Sequence, residues 1–467
     1  MKIKFGTGGF RGEVKKEFNK ESISLIGEAL ASIILEDNER KEIVVGYDRR
    51  YMSKEASQIL ASIFLYHGIK VNLHFLECPS PLIMYFVEKW ELPYGVMITA
   101  SHNPANFNGI KVFTKGGYDA DVEFTERLEK RIDSVESYPK VEFNEKDPNL
   151  NIFKGIDEYV ENIIKFAGSY INKDLRIAYD NLNGVGIVSI SELFNRLAIP
   201  MNVFSPEADS SFRGKLPNPI EENLDNLKQF IIKNKFDLGF ACDSDADRLG
   251  VIDEKGNYVS ANEILAVIYY YLIKEEGKKG DIVKNLVTSN ILDNLADKFG
   301  YKCHHVDVGF KNITHSMKVN DALIGGESSG GLTVRNYIHG KDSTFSVMLF
   351  VSAISKLNKP VSEIVKEVKE FANYNKVFLE SFVGYAKENA EKIVDFLDNN
   401  TPEFDLQPKS MMKFERNYKW EFEDGQWLAI RLSNTEPVIR IAAEFNNTEL
   451  ANKEFDNLAK FIAPLGK

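Results

Sequence analysis

The sequence predicts an α/β protein with three related α/β domains, mainly parallel sheets and a smaller C-terminal α+β domain. Two observations carry this prediction. Apolar runs of four to seven residues alternate with segments of helical periodicity over most of the chain, and the alternation restarts twice. Such alternation is typical of parallel sheets covered by helices on both faces. The last roughly one hundred residues break the pattern and favour a mixed domain.

The predicted elements follow the same order in each α/β unit. The first unit has strands at 42–48, 70–76 and 94–100, helices at 53–68 and near 80–89, and a short strand at 109–113. The second has strands at 175–180, 200–204 and 237–242, with helices near 184–197 and 221–234. The third begins with a helix after Glu263 and alternates helices with strands at 281–287, 302–308 and 322–326. The three units resemble a diverged internal repeat.

The chain divides at polar, charged stretches. At about 150 residues per domain, 467 residues suggest roughly three domains, but the distinct C-terminal segment favours four. We expect joints at 141–151 and around 355–360, with a helix from there to about 372. The expected domains are residues 1–140, 152–255, 256–370 and 373–467.

Composition and charge exclude several classes of protein. Lys and Arg number 58 against 69 Asp and Glu, a formal net charge of −11, and 43% of residues are hydrophobic. This globular composition excludes a disordered, collagenous or disulfide-framework protein. The acidic balance argues against a nucleic-acid or membrane partner.

Cysteine usage and apolar runs predict a cytoplasmic protein. Cys78, Cys242 and Cys303 are odd in number and form no CxxC pair, as expected for reduced thiols. The N-terminal segment has no apolar signal region, and the best apolar run, 264–273, is ten residues long, too short to span a bilayer. The sequence leaves the oligomeric state open.

Three loops that follow a terminal strand carry the candidate chemistry. YGVMITA leads into Ser101-His102-Asn103-Pro104, DLGFAC leads into residues 243–248, and ALI leads into residues 325–331. Ligands of open parallel sheets bind beyond the carboxyl ends of the strands. Equivalent positions in three units therefore offer a hydroxyl, a carboxylate cluster and a Gly/Ser-rich loop with one acid, Glu327.

The carboxylate cluster consists of Asp243, Asp245 and Asp247. Three aspartates in steps of two can direct their oxygens at one hard cation, and such oxygens suit Mg²⁺. A calcium loop is a rival interpretation, because Glu254 is the twelfth residue from Asp243, but Arg248 occupies the sixth position, where that loop needs glycine. An aspartyl-nucleophile phosphatase and a solvated acidic turn are two further rival interpretations of the cluster.

Ser101 is the candidate carrier or acceptor of a phosphoryl group. ITASHNP lacks the flanking glycines of GxSxG, which argues against acyl transfer, whereas a serine beside Mg²⁺ suits phosphoryl chemistry. Lys111 on the following strand could supply a cation. The rival interpretation is that SHNP is only a turn.

Two further segments offer anion-binding groups. GTGGFRG (6–12) is not a dinucleotide fingerprint, but its turn can hold Arg11 near an anion. RLSNTEPVIR (431–440) forms either a phosphate cradle or a polar hairpin, with these groups around its turn: Arg431, Ser433, Asn434, Thr435 and Arg440. The chain contains no GxxxxGK[ST] segment, which excludes a P-loop nucleotide hydrolase.

Taken together, these segments resemble the α-D-phosphohexomutase superfamily of phosphoglucomutases and phosphomannomutases. The matching segments, in order, are GTGGFRG, TASHNP (99–104), DSDADR (243–248), GESSG (326–330) and RLSNTEPVIR. The resemblance implies that the four domains enclose a central cleft. It also implies interconversion of hexose 1-phosphate and hexose 6-phosphate, of glucose and/or mannose, through a phosphoserine enzyme. A hexose 1,6-bisphosphate would be the intermediate and the activator, and Mg²⁺ the cofactor.

The resemblance assigns a role to each matching position. Ser101 would be the phosphoserine and, with Asp243, Asp245 and Asp247, a Mg²⁺ ligand. The catalytic groups around it would be Arg11, His102, Lys111 and Arg248. The sugar would be held by Glu327 and Ser329, with Lys341 as a sugar or phosphate contact. The non-reacting phosphate would be held by Arg431, Ser433, Asn434, Thr435 and Arg440.

Some positions depart from the family pattern. Ser244 replaces a usual glycine, which is tolerated if its φ is negative. Gly331 stands where some members have histidine, so the general base is unassigned, and Ser343 replaces a glycine in HGKDS. The loop after Gly326 lacks the glutamine of phosphoglucosamine mutases, which favours glucose or mannose. A phosphoglucosamine mutase, a phosphopentose mutase and a non-catalytic phosphosugar-binding protein are the competing functions.

Overall fold

The computed structural model describes residues 3–6, 9–37, 40–168, 170–384, 389–414, 416–432 and 438–463. Within these ranges the chain forms four sheets, each with its own helices. Three sheets repeat one strand–helix arrangement, and the last sheet is antiparallel throughout. The predicted α/β class, with three related units and a smaller α+β domain, is confirmed.

The first domain carries the Ser101 loop. Its elements are β1 (Phe5–Gly6), β2 (Gly9–Glu13), α1 (Lys20–Glu36), β3 (Glu42–Tyr47), α2 (Ser53–Tyr66), β4 (Lys70–His74), α3 (Ser80–Lys89), β5 (Tyr94–Ile98), β6 (Phe107–Thr114), β7 (Tyr118–Asp119), α4 (Val122–Asp133) and β8 (Leu150–Phe153). The strands run in the order β1-β2-β6-β5-β3-β4-β8, with β7 on β6. β8 begins within the predicted joint 141–151. Its residues are exposed or only partly buried, so no apolar run in the sequence predicts this strand.

The second and third domains are built in the same way. The second has α5 (Ile156–Ala167), β9 (Ile177–Asp180), α6 (Gly186–Arg196), β10 (Met201–Phe204), α7 (Asp225–Asn234), β11 (Leu238–Cys242), β12 (Leu249–Asp253) and β13 (Tyr258–Val259). The third has α8 (Ala261–Lys274), β14 (Ile282–Asn285), α9 (Ile291–Phe299), β15 (Cys303–Val306), α10 (Phe310–Asn320), β16 (Ile324–Gly326), β17 (Leu332–Val334), α11 (Ser343–Leu357) and α12 (Val361–Phe371). Short 3₁₀ turns lie at Phe212–Gly214 and Glu221–Asn223.

The three α/β domains place one connection at the same topological position. Each sheet contains three successive strands that pair in parallel, joined in the first sheet by β8. The next strand then returns antiparallel beside the third: β6 beside β5, β12 beside β11, and β17 beside β16. These connections contain Ser101, the aspartates 243–247, and Glu327, respectively. The internal repeat expected from the sequence is therefore present in the topology, and the sheets are mixed.

The C-terminal domain is a sheet with helices on one face. Its elements are β18 (Val377–Gly384), α13 (Ala390–Asn399), β19 (Ser410–Phe414), β20 (Asn417–Glu421), β21 (Trp427–Leu432), β22 (Val438–Phe445) and α14 (Thr448–Ile462), with a 3₁₀ turn at Glu423–Gly425. The strand order is β18-β22-β21-β20-β19. One face packs on α13 and α14 through a core that includes Ile393, Leu397 and Leu458. The other face meets the third domain, where Trp427 packs near Val287.

Helix α11 is the buried element that joins the α/β domains. Every residue from Ser343 to Ser355 is buried, because the sequence STFSVMLFVSAIS is apolar or small on all sides. The helix packs against α5, α6, α8 and β12, so its side chains belong to a core shared between domains. Uniform apolarity carries no helical period, which is why the sequence predicts only the helix that follows. Despite this apolarity, no helix in the described ranges has the combined length and hydropathy to cross a bilayer.

Lys419 is a buried lysine on the sheet face that meets the third domain. Its side chain is fully buried, and its Nζ lies 4.3 Å from the centroid of the Trp427 ring. Among the described residues, Nζ has no hydrogen-bond partner. Burial, with the charge of Lys284 next in effect, lowers the pKa of Lys419 to about 7. The folded protein therefore holds this amine uncharged above neutral pH.

We predict that Lys419→Met stabilises the protein most at acidic pH. The pKa of Lys419 is lower in the folded chain than in the unfolded chain, so wild-type stability rises with pH between about 7 and about 10. Below pH 7 the buried amine is charged, and its burial lowers the free energy of unfolding by an amount on the order of 3–5 kcal/mol. Methionine removes this cost and keeps an apolar contact with Trp427. Calorimetry at pH 6 and pH 9 should show a higher melting temperature for the variant, with the gain at least halved at pH 9.

The control is Lys460→Met, on the exposed side of α14. This substitution should change the melting temperature little and equally at both pH values, because the side chain of Lys460 is exposed to solvent. An equal gain from Lys419→Met at pH 6 and pH 9 would contradict the lowered pKa.

Candidate active site

The candidate active site lies where the three repeated connections meet. The connection at 99–106 comes from the first domain, that at 243–248 from the second, and that at 327–331 from the third. Lys111 of β6 and Lys341 of the third domain both reach the aspartate loop of the second domain. The structure thus brings together side chains from three domains, and the first and third connections lie more than two hundred positions apart in the sequence.

Ser101 sits at the end of β5 in a strained, enclosed position. Its side chain is buried, with 1% of the residue exposed, and its φ is +51°, in the left-handed region that non-glycine residues rarely adopt. Its Oγ donates a hydrogen bond to Oδ2 of Asp243 at 2.7 Å and lies 3.3 Å from Nδ1 of His102. The hydroxyl is therefore aimed at the aspartate cluster.

The three aspartates form a carboxylate cluster with two unsatisfied oxygens. One oxygen from each of Asp243, Asp245 and Asp247 lies within 4.8 Å of the others. Nζ of Lys111 donates to Oδ2 of Asp245 at 2.6 Å and to Oδ2 of Asp247 at 2.9 Å. Among the described residues, Oδ1 of Asp245 and Oδ1 of Asp247 are buried without a hydrogen-bond partner. Because such oxygens are costly to leave unpaired, this donor set fits a hard divalent cation.

The carboxylates of the cluster have opposed pKa shifts. Burial, with the charges of Asp247 and Asp245 next, raises the pKa of Asp243 well above its usual range. Burial acts on Asp247 in the same direction, but the charges of Lys111 and Lys341 outweigh it and hold the pKa of Asp247 well below its usual range. The raised pKa of Asp243 indicates that the cluster has too little positive charge to keep all three carboxylates ionised. A bound cation would supply that charge and favour the ionised form of Asp243.

Arg11, Arg248 and His102 form the basic side of the site. Nη1 of Arg11 donates to Oδ1 of Asn103 at 2.6 Å. Nε of Arg11 and Nε of Arg248 are buried without a hydrogen-bond partner in the described part of the chain, and Nε of Arg248 lies 3.8 Å from Oδ1 of Asp247. Burial, followed by the neighbouring arginine charges, lowers the pKa of Arg11 and holds the pKa of His102 well below its usual range. Unfilled guanidinium donors beside one another suit an anion, which would satisfy both.

The third connection presents a carboxylate held in one orientation. Glu327 is 8% exposed, and its Oε1 accepts a hydrogen bond from Oγ of Ser329 at 2.7 Å. Its Oε2 accepts from Nδ2 of Asn285 at 3.2 Å. Nζ of Lys341 lies 3.3 Å from Oδ2 of Asp247 and 4.0 Å from Oε1 of Glu327, so this lysine stands between the aspartate cluster and the sugar loop predicted from the sequence.

The C-terminal domain adds two arginines to the cleft. Arg431 of β21 and Arg440 of β22 are opposite each other in the strand register, so their side chains share one face of the sheet. Burial and then the Arg440 charge lower the pKa of Arg431, and the charge of Glu327 acts against this shift, which places Arg431 within electrostatic reach of the sugar loop. The predicted residues Ser433, Asn434 and Thr435 lie outside the described residues.

Models of one protein family match most of this chain in four parts. Phosphoglucomutase/phosphomannomutase alpha/beta/alpha domains I, II and III match residues 2–139, 157–256 and 260–371, and the C-terminal domain model matches residues 357–461. The chain belongs to the phosphoglucomutase/phosphomannomutase family. This is a family of phosphotransferases that act as mutases, so the protein is an enzyme, and the resemblance described above is confirmed.

Relatives of the chain within the family carry different substrate names. A probable phosphoglucosamine mutase from Methanosphaera stadtmanae is 31% identical over 467 aligned residues, which cover 97% of this chain and 98% of the relative. A phosphoglucomutase/phosphomannomutase from Thermococcus kodakarensis is 28% identical, with 96% of each chain covered. The crystal structure of a phosphoglucomutase/phosphomannomutase family protein from Burkholderia thailandensis superposes with a TM-score of 0.81 at 20% identity, covering 99% of this chain and 98% of that one. The last likeness shows the fold.

Two departures from the family pattern have a structural reason. At Gly331 a Cβ atom would lie 2.2 Å from Cδ of Lys341, so the stem of Lys341 occupies the space that a side chain would need. Ser343, in place of glycine, donates from its backbone nitrogen and its Oγ to the carbonyl oxygen of Ala246, at 3.1 and 2.7 Å. This serine thereby ties the start of α11 to the aspartate loop.

Asp48, which the sequence analysis did not predict, supports the Ser101 loop. It is 1% exposed, and its Oδ2 accepts from Oγ1 of Thr99 at 2.6 Å and from Oγ of Ser244 at 3.0 Å. Oγ1 of Thr99 in turn accepts from the backbone nitrogen of Ser101 at 2.9 Å. The φ of Ser244 is outside the left-handed region, as the replacement of glycine by serine requires, and its hydroxyl makes a contact that glycine could not.

Arg50 completes the support behind Ser101. Its guanidinium lies 3.4 Å from Asp48 Oδ2 and donates to four backbone carbonyls, those of Ser101, Asn103, Pro104 and Phe107. Asp48 and Arg50 follow β3 closely, and the carboxyl end of β3 lies at the same sheet edge as that of β5. A search of the residues after every parallel strand, and not only after the third, would have found Asp48 and Arg50.

We predict that Asp48→Asn destabilises the first domain. The substitution removes the buried counter-charge of Arg50, and an uncompensated buried cation costs on the order of 3 kcal/mol. For a domain of this size the melting temperature should fall by roughly 5–10 °C, measured by calorimetry. Asp133→Asn, at the exposed end of α4, is the matched control and should leave that temperature nearly unchanged. Equal melting temperatures for both variants would show that Arg50 does not depend on Asp48.

Proposed function

We propose that this chain is a Mg²⁺-dependent phosphohexomutase that interconverts hexose 1-phosphates and hexose 6-phosphates. One juxtaposition carries the proposal: Oγ of Ser101 lies 2.7 Å from Asp243 of the aspartate cluster, in the site that also holds the unfilled donors of Arg11 and Arg248. A hydroxyl between groups for a cation and groups for an anion suits a phosphoryl carrier. Membership of the family supports the same conclusion.

Ser101 carries the phosphoryl group in the proposed cycle. The O6 or O1 hydroxyl of a bound hexose monophosphate attacks the phosphorus, the bond from phosphorus to Ser101 Oγ breaks, and a hexose 1,6-bisphosphate forms. The bisphosphate turns around in the cleft, and its other phosphoryl group returns to Ser101. Because Ser101 is 1% exposed, water has little access to the phosphoserine. Free hexose 1,6-bisphosphate acts as activator by phosphorylating Ser101 of an unmodified chain.

The buried charges serve the transferring phosphoryl group. Catalysis of phosphoryl transfer rests mainly on positioning and on stabilisation of charge at the phosphoryl oxygens. When bound by the three aspartates and Ser101, Mg²⁺ supplies part of this stabilisation. Arg11 and Arg248 donate from their buried Nε atoms, and Lys111 keeps the aspartates in place. The imidazole of His102 stays uncharged beside Ser101 because its pKa is low.

The sugar is held on the opposite side of the cleft. In this proposal Glu327 and Ser329 hold two sugar hydroxyls in both orientations of the ring, because hydroxyls are arranged similarly from either end. Lys341 contacts the sugar or its phosphate near Glu327. The non-reacting phosphate is held by Arg431 and Arg440 together with Ser433, Asn434 and Thr435.

Two classes of hexose phosphate are candidate substrates. The missing glutamine after Gly326 favours glucose or mannose phosphates. A second candidate, glucosamine phosphate, is favoured by the relative named a probable phosphoglucosamine mutase, which aligns over 97% of this chain. The two candidates share the chemistry at Ser101 and differ only at carbon 2 of the sugar, where glucosamine carries an amine.

We predict that Mg²⁺ raises the melting temperature of the wild type through the aspartate cluster. A ligand that binds only the folded state stabilises it by RT ln(1 + [L]/Kd), so the melting temperature rises with the ligand concentration. Asp247→Asn should weaken Mg²⁺ binding at least about tenfold, because it removes a carboxylate whose Oδ1 is one of the two buried cluster oxygens without a hydrogen-bond partner among the described residues. Scanning calorimetry over a series of Mg²⁺ concentrations measures the effect. Asp225→Asn, an exposed acid at the start of α7, is the control, and identical Mg²⁺ responses in both variants would place the metal elsewhere.

We predict that Ser101→Ala abolishes turnover while leaving sugar phosphate binding intact. The substitution removes the only proposed carrier atom, so the rate should fall by at least about three orders of magnitude. Phosphorus NMR with Mg²⁺ and a trace of glucose 1,6-bisphosphate follows conversion of glucose, mannose and glucosamine 1-phosphates. Intact-mass measurement should show one added phosphoryl group on the wild type and none on the variant.

The outcomes separate the proposed function from the competing functions. Full turnover by Ser101→Ala would remove the phosphoserine from the mechanism. Wild-type protein that binds hexose phosphates but converts none of them would favour a non-catalytic binding protein, and conversion of pentose phosphates alone would favour a phosphopentose mutase.

A further inference from the structure

The face of the C-terminal sheet that meets the third domain also borders the cleft, and it carries a residue that the proposed mechanism does not use. We call it the inner face and define it by register: Glu380 of β18 pairs with Ala442 of β22, and Ala442 pairs with Ala429 of β21. Arg440 and Arg431 are two positions further along the same strands, so they project to the same side as Glu380. Glu380 and the two arginines are therefore neighbours on the inner face.

Glu380 lies close to the sugar loop as well as to the arginines. Its side chain is exposed within the cleft, and Oγ of Ser328 donates to its Oε1 at 3.5 Å. Ser328 directly follows Glu327 in the third connection. Burial raises the pKa of Glu380, and the charge of Arg440, the largest of the opposing effects, only partly offsets this shift. This carboxylate thus stands between the proposed phosphate-holding arginines and the loop that holds sugar hydroxyls.

A carboxylate at this place is unfavourable for a substrate whose only charge is its phosphate. It repels the phosphate and weakens the field of the arginines that should bind it. This repulsion is offset if the substrate carries an ammonium group next to its phosphate, because the ammonium group can then pair with Glu380.

We propose that Glu380 recognises the ammonium group of a 2-amino-2-deoxyhexose phosphate and so sets the sugar preference of the site. The inference rests on the proposed function and names its substrate class. When the 1-phosphate lies against Arg431 and Arg440, carbon 2 is one bond away from the phosphorylated carbon, so its ammonium group reaches Glu380. When the 6-phosphate lies there instead, carbon 2 is at the far end of the sugar. Glu380 therefore acts on one of the two binding orientations.

The orientation argument gives a sharp equilibrium test. In a chain carrying Ser101→Ala to prevent turnover, calorimetry compares glucosamine 1-phosphate, glucose 1-phosphate and glucosamine 6-phosphate. Adding Glu380→Gln should weaken binding of glucosamine 1-phosphate about tenfold or more, as expected for loss of a charged hydrogen bond. Binding of glucose 1-phosphate should be unchanged or tighter, because the repulsion of its phosphate is relieved. Binding of glucosamine 6-phosphate should change less than twofold.

A turnover test with otherwise wild-type protein checks the same point. Glu380→Gln should lower kcat/KM for glucosamine phosphate relative to glucose phosphate by about tenfold, whereas Glu449→Gln, at the exposed start of α14, should leave the ratio unchanged. Raising the pH from 7 to 9 neutralises the amine of glucosamine phosphate. The kcat/KM ratio of glucosamine phosphate to glucose phosphate should therefore fall in the wild type and stay unchanged in Glu380→Gln.

The failures of the inference and of the proposed function are distinct. Equal effects of Glu380→Gln on glucosamine and glucose phosphates would overturn the inference, as would a wild type that converts glucose 1-phosphate but not glucosamine 1-phosphate. A wild type that converts no hexose phosphate would overturn the proposed function. In that case selective loss of glucosamine 1-phosphate binding in Glu380→Gln would still support amine recognition.

Discussion

The ion pairs of Lys111 with Asp245 and Asp247 are the constraint on which the rest of the site depends. Lys111 is 6% exposed, and burial acts against its charge, but the two carboxylates outweigh this and raise the pKa of Lys111. A buried ammonium requires carboxylate partners, and buried carboxylates require a cation. The first domain supplies the cation and the second domain supplies the carboxylates. Because Lys111 takes Oδ2 of both aspartates, their Oδ1 atoms are left for a second cation. One lysine therefore fixes both the contact between the first two domains and the geometry of the proposed metal site.

The repeated topology explains why the chemistry is divided among three domains. Each sheet delivers one connection to the cleft, and each connection has a different residue at its tip: Ser101, the aspartate cluster, or Glu327. Four carboxylates gathered at one sheet edge would repel one another strongly. Division among domains lets lysines and arginines lie between the acids, as Lys341 does between Asp247 and Glu327. This local balance is independent of the overall charge of −11.

Residues that directly follow the third strand of a unit could be predicted from the sequence, because the carboxyl end of a parallel strand fixes where they lie. That rule predicts Ser101, the aspartates and Glu327, and the structure brings all of them to one cleft. The rule misses Asp48 because it follows a first strand, and α11 is not predicted because uniform apolarity has no period. Glu380 is missed for a different reason: it lies inside an antiparallel strand, and only the register of β18 with β22 places it beside Arg440. Such neighbours depend on long-range pairing, which no local pattern contains.

The joint between the third and C-terminal domains differs from the other joints in its chemistry. The α/β domains share an extended hydrophobic core, whereas the C-terminal domain has a core of its own and meets the third domain through a small apolar cluster around Trp427 together with polar groups. At this joint the fully buried Glu444 accepts from the Trp427 indole at 2.7 Å, from the Asn290 backbone at 2.9 Å and from the Tyr374 hydroxyl. Water can replace hydrogen bonds of this kind when a domain shifts, at much lower cost than exposing a hydrophobic core. In the proposed cycle the bisphosphate turns around without leaving, which requires one wall of the site to separate. The wall with Arg431 and Arg440 lies beyond this joint, so we expect it to be the wall that moves.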